Sequence, residues 1–223
     1  LIRPTASSLH LFSGIETQLA GRQKVYRQLS LVTGEFTLSF DTSPKKTKHS
    51  QISITESYLN HRLSPEYQLL IVGMGEITRY LVDIIQSVEF TVTVCEPRKK
   101  FITRSEASTS SYDIINCLPD DLVIDKFNDE YTAIVALAHD PRVDDLAILA
   151  ALESDAFYIG AMGSKLTSEN RVKRLLSLGL CRDQLQKLHA PIGINIHSKT
   201  PPEIAISIAA HLIKVRHQHI ICS

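Results

Sequence analysis

From Tyr67 onward, short β-rich runs alternate with longer stretches of helical periodicity, and this alternation restricts the chain more than any other feature. Gln68–Val72, Thr91–Cys95, Asp113–Asn116, Ala133–Leu137 and Phe157–Ile159 are predicted strands. Ile77–Val88, Arg142–Leu152, Lys165–Leu178 and Pro202–Arg216 are predicted helices. Parallel neighbours need long connections, so strands alternating with helices imply crossover units on a parallel sheet. Pro119, followed by Asp120 and Asp121, suits the start of a further short helix. Thr200 and Glu203 have capping-box spacing. Beyond them, Ile204, Ile208, Leu212 and Val215 fall on one apolar stripe, which is expected in the core. A helix end and an exposed tail would account for His211, His217 and His219.

The first 66 residues lack this rhythm. Lys24–Val32, Phe36–Phe40 and Gln51–Tyr58 resemble strands between turn signals. The expected architecture is therefore α/β: a parallel sheet flanked by helices over residues 67–223, preceded by a small, partly β N-terminal unit over 1–66. The first part carries eight basic and five acidic side chains and the second a compensating acidic excess. Part of the basic excess is Lys45, Lys46 and Lys48, read as a solvated loop. The whole chain has 24 basic and 24 acidic residues. That balance gives no reason to expect a nucleic-acid or membrane surface. No apolar run approaches the roughly 20 residues of a spanning helix. The four cysteines, at 95, 117, 181 and 222, form no CxxC pair, which removes zinc-ribbon and thioredoxin-like readings. Cys95 and Cys117 read as small buried hydrophobes, and a cytoplasmic location is expected. Residue 1 is leucine, so a processed end or an internal start of a longer polypeptide is expected, with the N-terminal unit truncated.

Leu69-Leu70-Ile71-Val72-Gly73-Met74-Gly75-Glu76-Ile77-Thr78 is a hydrophobic strand that enters a glycine turn and then a helix. In a dinucleotide-binding turn the first glycine makes the bend and the second lets backbone approach phosphate. Gly73 and Gly75 fit these roles, and Thr78 holds the third place. Glu96 lies 21 residues beyond Gly75, at the end of the next predicted strand, where an acid can grip ribose hydroxyls. Arg98 follows it and is a candidate phosphate contact. Glu76 points the other way, since a carboxylate at a helix start competes with an anion for the free N–H groups.

A second turn repeats the design. Phe157-Tyr158-Ile159 runs into Gly160, Gly163, Ser164 and Lys165, and then a basic helix. Backbone N–H groups there, with Ser164 and Lys165, form a candidate anion cradle. His139-Asp140 follows the strand Ala133–Leu137, at the sheet end where ligands of α/β proteins sit. Anion binding, proton transfer, metal ligation or plain structural hydrogen bonding all suit His139. The pair alone defines no metal centre.

In these strings the chain resembles the XdhC/CoxI family, accessory proteins of molybdenum hydroxylases such as xanthine dehydrogenase. The carriers are Leu70–Gly75, Val92–Arg98, His139-Asp140, Tyr158–Lys165, His189–Gly193 and Thr200–Ala205, within a span of about two-thirds of the chain. The resemblance implies a Rossmann-like C-terminal domain. It further implies a cofactor chaperone more than a turnover enzyme, one that binds molybdenum cofactor and helps sulfurate and insert it. Its implied partners are a molybdenum hydroxylase, a cysteine desulfurase and a second copy of the chain. The family's Gly-Gly-Cys string is absent, and Glu76 and Thr78 replace the family's histidine and third glycine. Two rival readings stand beside the carrier: an NAD(P)-dependent oxidoreductase, supported by the glycine turn with Glu96, and a non-catalytic partner-binding protein with a vestigial pocket.

Overall fold

A computed structural model of the 223-residue chain describes residues 6–39, 52–102 and 112–222. Its contacts divide the chain into two compact units. One comprises Leu1–Glu66 with Ile220–Ser223, the other Tyr67–His219.

In the first unit, helix α1 (Ala6–Ala20) precedes strands β1 (Val25–Ser30), β2 (Phe36–Ser39), β3 (Ile52–Ile54) and β4 (Tyr58–Leu63). The strands form an antiparallel sheet in the order β2-β1-β4-β3. The expected single strand Gln51–Tyr58 is in fact a hairpin. Thr55 makes the turn: its N–H donates to the Tyr58 carbonyl at 2.8 Å, and its Oγ1 accepts from the Tyr58 N–H at 3.1 Å. Strand pairing then runs along β4, which gave no separate signal, with Val25 opposite Leu63 and Ser30 opposite Tyr58. Phe40, Gln51 and the lysines at 45, 46 and 48 lie outside the described residues.

In the second unit, β5 (Tyr67–Val72), β6 (Phe90–Cys95), β7 (Asp113–Ile115), β8 (Thr132–Ala136), β9 (Tyr158–Ala161) and β10 (Leu188–His189) form one parallel sheet. The helices are α2 (Glu76–Ile85), α3 (Pro119–Lys126), α4 (Pro141–Glu153), α5 (Lys165–Ser177), α6 (Arg182–Leu185) and α7 (Pro201–Cys222). The strand order is β10-β9-β8-β5-β6-β7. The chain thus builds outward from β5 to β7, returns to β8 and builds the other way. This is the doubly wound Rossmann order, with its switch between β5 and β8.

The sheet is buried on both faces, which explains the unbroken apolar runs of its strands. Because side chains alternate along a strand, Leu69 and Ile71 face one layer and Leu70 and Val72 the other. The first layer holds Leu81, Val82 and Ile85 of α2 with Ala205, Ile208 and Leu212 of α7. The second holds Val123 of α3, Ile148 and Ala151 of α4 and Leu175 of α5. The α7 start is capped as its sequence implied: the Glu203 carboxylate accepts the N–H groups of Lys199 and Thr200 at 2.8 and 3.0 Å. The helix then runs on to Cys222, well past the expected end at Arg216. His211 and His219 therefore do not lie in an exposed tail. Nδ1 of His211 is 3.0 Å from the Tyr158 hydroxyl, and the His219 ring stacks on Phe157 with centroids 5.5 Å apart.

Candidate functional site

The first glycine turn is braced by its neighbouring side chains. Gly73 holds φ +106°, and Thr78 is fully buried, with Oγ1 donating to the Gly73 carbonyl at 2.8 Å. Glu96 is also fully buried. One carboxylate oxygen accepts the Met74 N–H at 2.8 Å, and the other accepts the Arg98 N–H at 2.9 Å. The Arg98 guanidinium grips both oxygens at 2.8 Å and also donates to the Ala138 carbonyl at 3.1 Å. Burial opposes the charge on Glu96, but Arg98 and the two backbone donors outweigh it and hold the carboxyl below the usual glutamate range. The acid placed to hold a ribose therefore spends its lone pairs inside the protein. Its guanidinium partner stacks over Phe101 at 4.2 Å. Glu76 is exposed at the first position of α2, and Gly75 is its N-cap.

The second turn opens onto a cavity of about 720 Å³, a size suited to a small-molecule ligand. Three loops at the carboxyl ends of β8, β9 and β10 build it, together with the start of α7. From the first loop come His139, Pro141 and Asp144. From the second come Met162, Gly163 and Ser164, with Thr167 and Arg171 of α5. The loop after β10 adds Pro191 to Asn195, His197 and Ser198. That loop is fixed by close packing on α7. Gly193 sits at φ +91°, where a Cβ would collide with Ser207 Oγ, and Ser207 Oγ donates to the Ile194 carbonyl at 2.6 Å.

At the edge of the cavity, His139 holds φ +55°, a left-handed conformation that costs a non-glycine residue about 1–2 kcal/mol. The elements on either side hold it there. The preceding Ala138 N–H donates to Asp144 Oδ1 at 3.0 Å, and the following Asp140 caps α4 by accepting the Arg142 N–H at 3.1 Å. Asp140 also pairs with Arg142 at 3.0 Å and is not among the lining residues.

Two groups that sequence reasoning did not single out as site residues, Asp144 and Arg171, contribute a buried ion pair to the lining. Each is 2 % exposed. Arg171 donates to Asp144 at 3.4 Å, to Asp145 at 3.3 Å and to the Met162 carbonyl at 3.0 Å. Arg174 takes the other side of Asp145 at 2.7 and 3.2 Å. Burial pushes the Asp144 carboxyl up to about 6; the Ala138 N–H and Arg171 pull it down, and Asp145 adds to the rise. Gly163 adjoins the guanidinium: a Cβ there would stand 3.1 Å from Thr167 and 3.6 Å from Arg171 Nη1. Ser168, Arg171 and Leu175 form the buried stripe of α5, and a buried charge demands a partner, but two of the three are polar, so the sequence showed only a basic helix here. The aspartates at 144 and 145 gave no signal beyond helix-start acidity.

The other predicted residues divide. Gly163 and Ser164 line the cavity together with His139. Ser164 caps α5, its Oγ accepting the Thr167 N–H at 3.1 Å, and Lys165 is exposed outside the lining. Gly160 sits within β9, paired with Val135 and His189. A Cβ at Gly160 would strike Ile192 and Tyr158, so its role is packing. Gly73, Gly75, Glu76, Glu96 and Arg98 are not among the lining residues.

Fold and cavity together define a Rossmann-type domain with a cavity at its second glycine turn. The chain belongs to the XdhC family: the family's Rossmann domain matches residues 69–212. It is 26% identical over 162 residues to a Bacillus subtilis protein named as a probable xanthine dehydrogenase subunit, covering 73% of this chain and 47% of that protein. Over 91 residues it is 35% identical to the molybdenum cofactor insertion chaperone PaoD of Escherichia coli, covering 40% of this chain and 29% of PaoD. The uncharacterized protein YqeB of Escherichia coli is 22% identical over 168 residues, which cover 70% of this chain and 28% of YqeB. The chain thus spans between about a quarter and a half of these relatives' lengths. A crystal structure described as a xanthine dehydrogenase from Bacillus halodurans shares the fold, with a TM-score of 0.74 and 24% identity over 96% of this chain and 68% of that one. Among the described residues, no helix is long and apolar enough to cross a membrane.

Proposed function

We propose that this chain carries molybdenum cofactor as cargo in the β8–β9–β10 cavity and delivers it to a molybdenum hydroxylase of the xanthine dehydrogenase kind. The observation that carries this reading is the cavity itself: about 720 Å³, formed within the family's domain and floored by the Arg171–Asp144 pair. The pterin's phosphate matches a guanidinium beside a helix N-terminus. Met162, Pro191, Ile192 and Ile204 offer apolar walls for its ring system. The cargo-insertion role named for PaoD and the xanthine dehydrogenase named for the Bacillus subtilis relative support the same reading.

Sulfuration of the cargo belongs to the same proposal. Among the described residues no cysteine lines the cavity, so the sulfur comes from a partner such as a cysteine desulfurase. NAD(P) is not favoured, because Glu96 is already saturated by Arg98 and the Met74 N–H.

The test is retention of molybdenum cofactor by the purified chain after gel filtration, read as molybdenum content and pterin fluorescence. Near-stoichiometric retention that is lost in Gly163→Trp, followed by activation of a cofactor-free xanthine dehydrogenase, is the expected result. No retention at micromolar protein refutes the reading. Calorimetry with NAD(H) and NADP(H) is expected to show no binding.

A further inference from the structure

We propose that Arg171 and Asp144 form a proton-coupled anion receptor: an oxyanion of the phosphate class takes Arg171 from Asp144, and Asp144 accepts a proton from solvent as it does so. This rests on the reading of the cavity as the cargo site and adds how the cargo's anionic end is held and released.

Charge balance leads to the assignment. Two carboxylates, Asp144 and Asp145, face two guanidiniums, Arg171 and Arg174, and the group is neutral as it stands. A dianion arriving at Arg171 leaves this buried cluster negative, and uncompensated buried charge is costly. Uptake of one proton reduces that excess. Asp145 keeps Arg174 at 2.7 Å, whereas the bond from Arg171 to Asp144 is the longest of the set at 3.4 Å. Asp144 is thus the carboxylate with the weakest hold on a cation, and the one whose burial already favours the neutral acid. Protonation leaves Asp144 Oδ1 free to keep accepting the Ala138 N–H, so the loop carrying His139 stays in place. Arg171 and Asp144 both belong to the cavity lining, so an anion in the cavity meets this pair.

The other groups that bear on this carboxylate are Arg98, whose field reaches Asp144, and Asp145 on the same helix. His139 and His197 also line the cavity, and protonated histidines would favour anions at low pH as well. The test must separate these sources.

Sulfate is the appropriate probe, because it does not itself titrate near neutrality. Its affinity for the full chain is expected to fall about fivefold between pH 6 and 7 and to approach tenfold per unit above that, as linkage to a single group with a pKa of about 6 requires. Calorimetry near pH 7, in two buffers of different ionisation enthalpy, is expected to show uptake approaching one proton per sulfate. Asp144→Asn, the uncharged mimic, is expected to bind sulfate with no such slope. A slope that persists in Asp144→Asn assigns the proton to a histidine and overturns the proposal; so does sulfate binding without proton uptake, or no binding at tens of millimolar. If the Asn variant does not fold, the ¹³C carboxyl shift of Asp144 in the wild-type chain decides instead: sulfate must move it toward the protonated position. Molybdenum cofactor retained with no pH linkage sinks this inference and leaves the carrier reading standing. Proton-linked sulfate binding without cofactor retention does the reverse.

Discussion

Replacing Gly73 or Gly75 by alanine separates the structural from the ligand-binding duty of the first turn. Gly73 holds φ +106°, its N–H donates to the Cys95 carbonyl at 2.8 Å, and a Cβ would run into the Cα, N and Cβ of Ala138. Two of those three atoms are backbone, so no rotamer change relieves the contact. Positive φ costs an L-residue about 1–2 kcal/mol, and overpacking a tight site about 1–3 kcal/mol. Gly73→Ala is therefore expected to lose about 2–5 kcal/mol, or about 4–20 °C in melting temperature for a unit of this size. Gly75 has φ −163° and nothing within 4 Å of its Cβ position, so alanine there is expected to lie within about 0.5 kcal/mol of wild type. Urea denaturation followed by circular dichroism measures both. Cofactor retention by Gly75→Ala is expected to match wild type, since a Cβ there meets neither protein nor cavity. A Gly73→Ala protein as stable as wild type refutes the packing argument. Loss of cofactor retention in a well-folded Gly75→Ala protein returns the site to the first turn.

Arg171→Met removes the guanidinium that Asp144 and Asp145 share, leaving Asp145 to Arg174 and Asp144 without an ion-pair partner in contact, and is expected to destabilise the unit by about 3–5 kcal/mol in urea. Asp144 has a pKa raised in the fold from 3.8 to about 6, so the folded state binds more protons than the unfolded state between those values. Its contribution to stability is therefore present at low pH and falls as pH rises through this window, by about 3 kcal/mol in all. The stability difference between wild type and Asp144→Asn, followed from pH 4 to 8, is expected to shift in the variant's favour by that order. A flat difference contradicts the raised pKa. Tyr158→Phe removes a buried hydroxyl that serves His211 Nδ1 at 3.0 Å, and is expected to cost about 1–3 kcal/mol by the same denaturation assay.

The strands and helices of the second unit were largely readable because burial on both faces of a parallel sheet leaves a local trace. Apolar runs such as Leu69–Val72 and the stripe Ile204, Ile208 and Leu212 mark where chain must meet core. The first unit was less readable. Helix α1 contains serines and a glycine in ASSLHLFSGIETQLA, which dilute its periodicity. Strand β4 is specified by pairing with β1, 28 to 38 residues away, and not by its own pattern.

Of the site, sequence alone determined that two strand–glycine–helix turns and a His-Asp pair would stand at the carboxyl ends of a parallel sheet. These are local properties, since a glycine where φ must be positive and a cap at a helix start are chosen by their immediate neighbours. Tertiary structure alone decided which charges meet at each turn. Glu96 accepts from Arg98 and the Met74 N–H at the first, while Arg171 found Asp144 and Asp145 beneath the second. The Glu96–Arg98 pair spans only two residues, but Arg171 meets Asp144 and Asp145 across 27 and 26 residues, and no spacing along the sequence encodes the distance that the winding of the sheet sets between those segments.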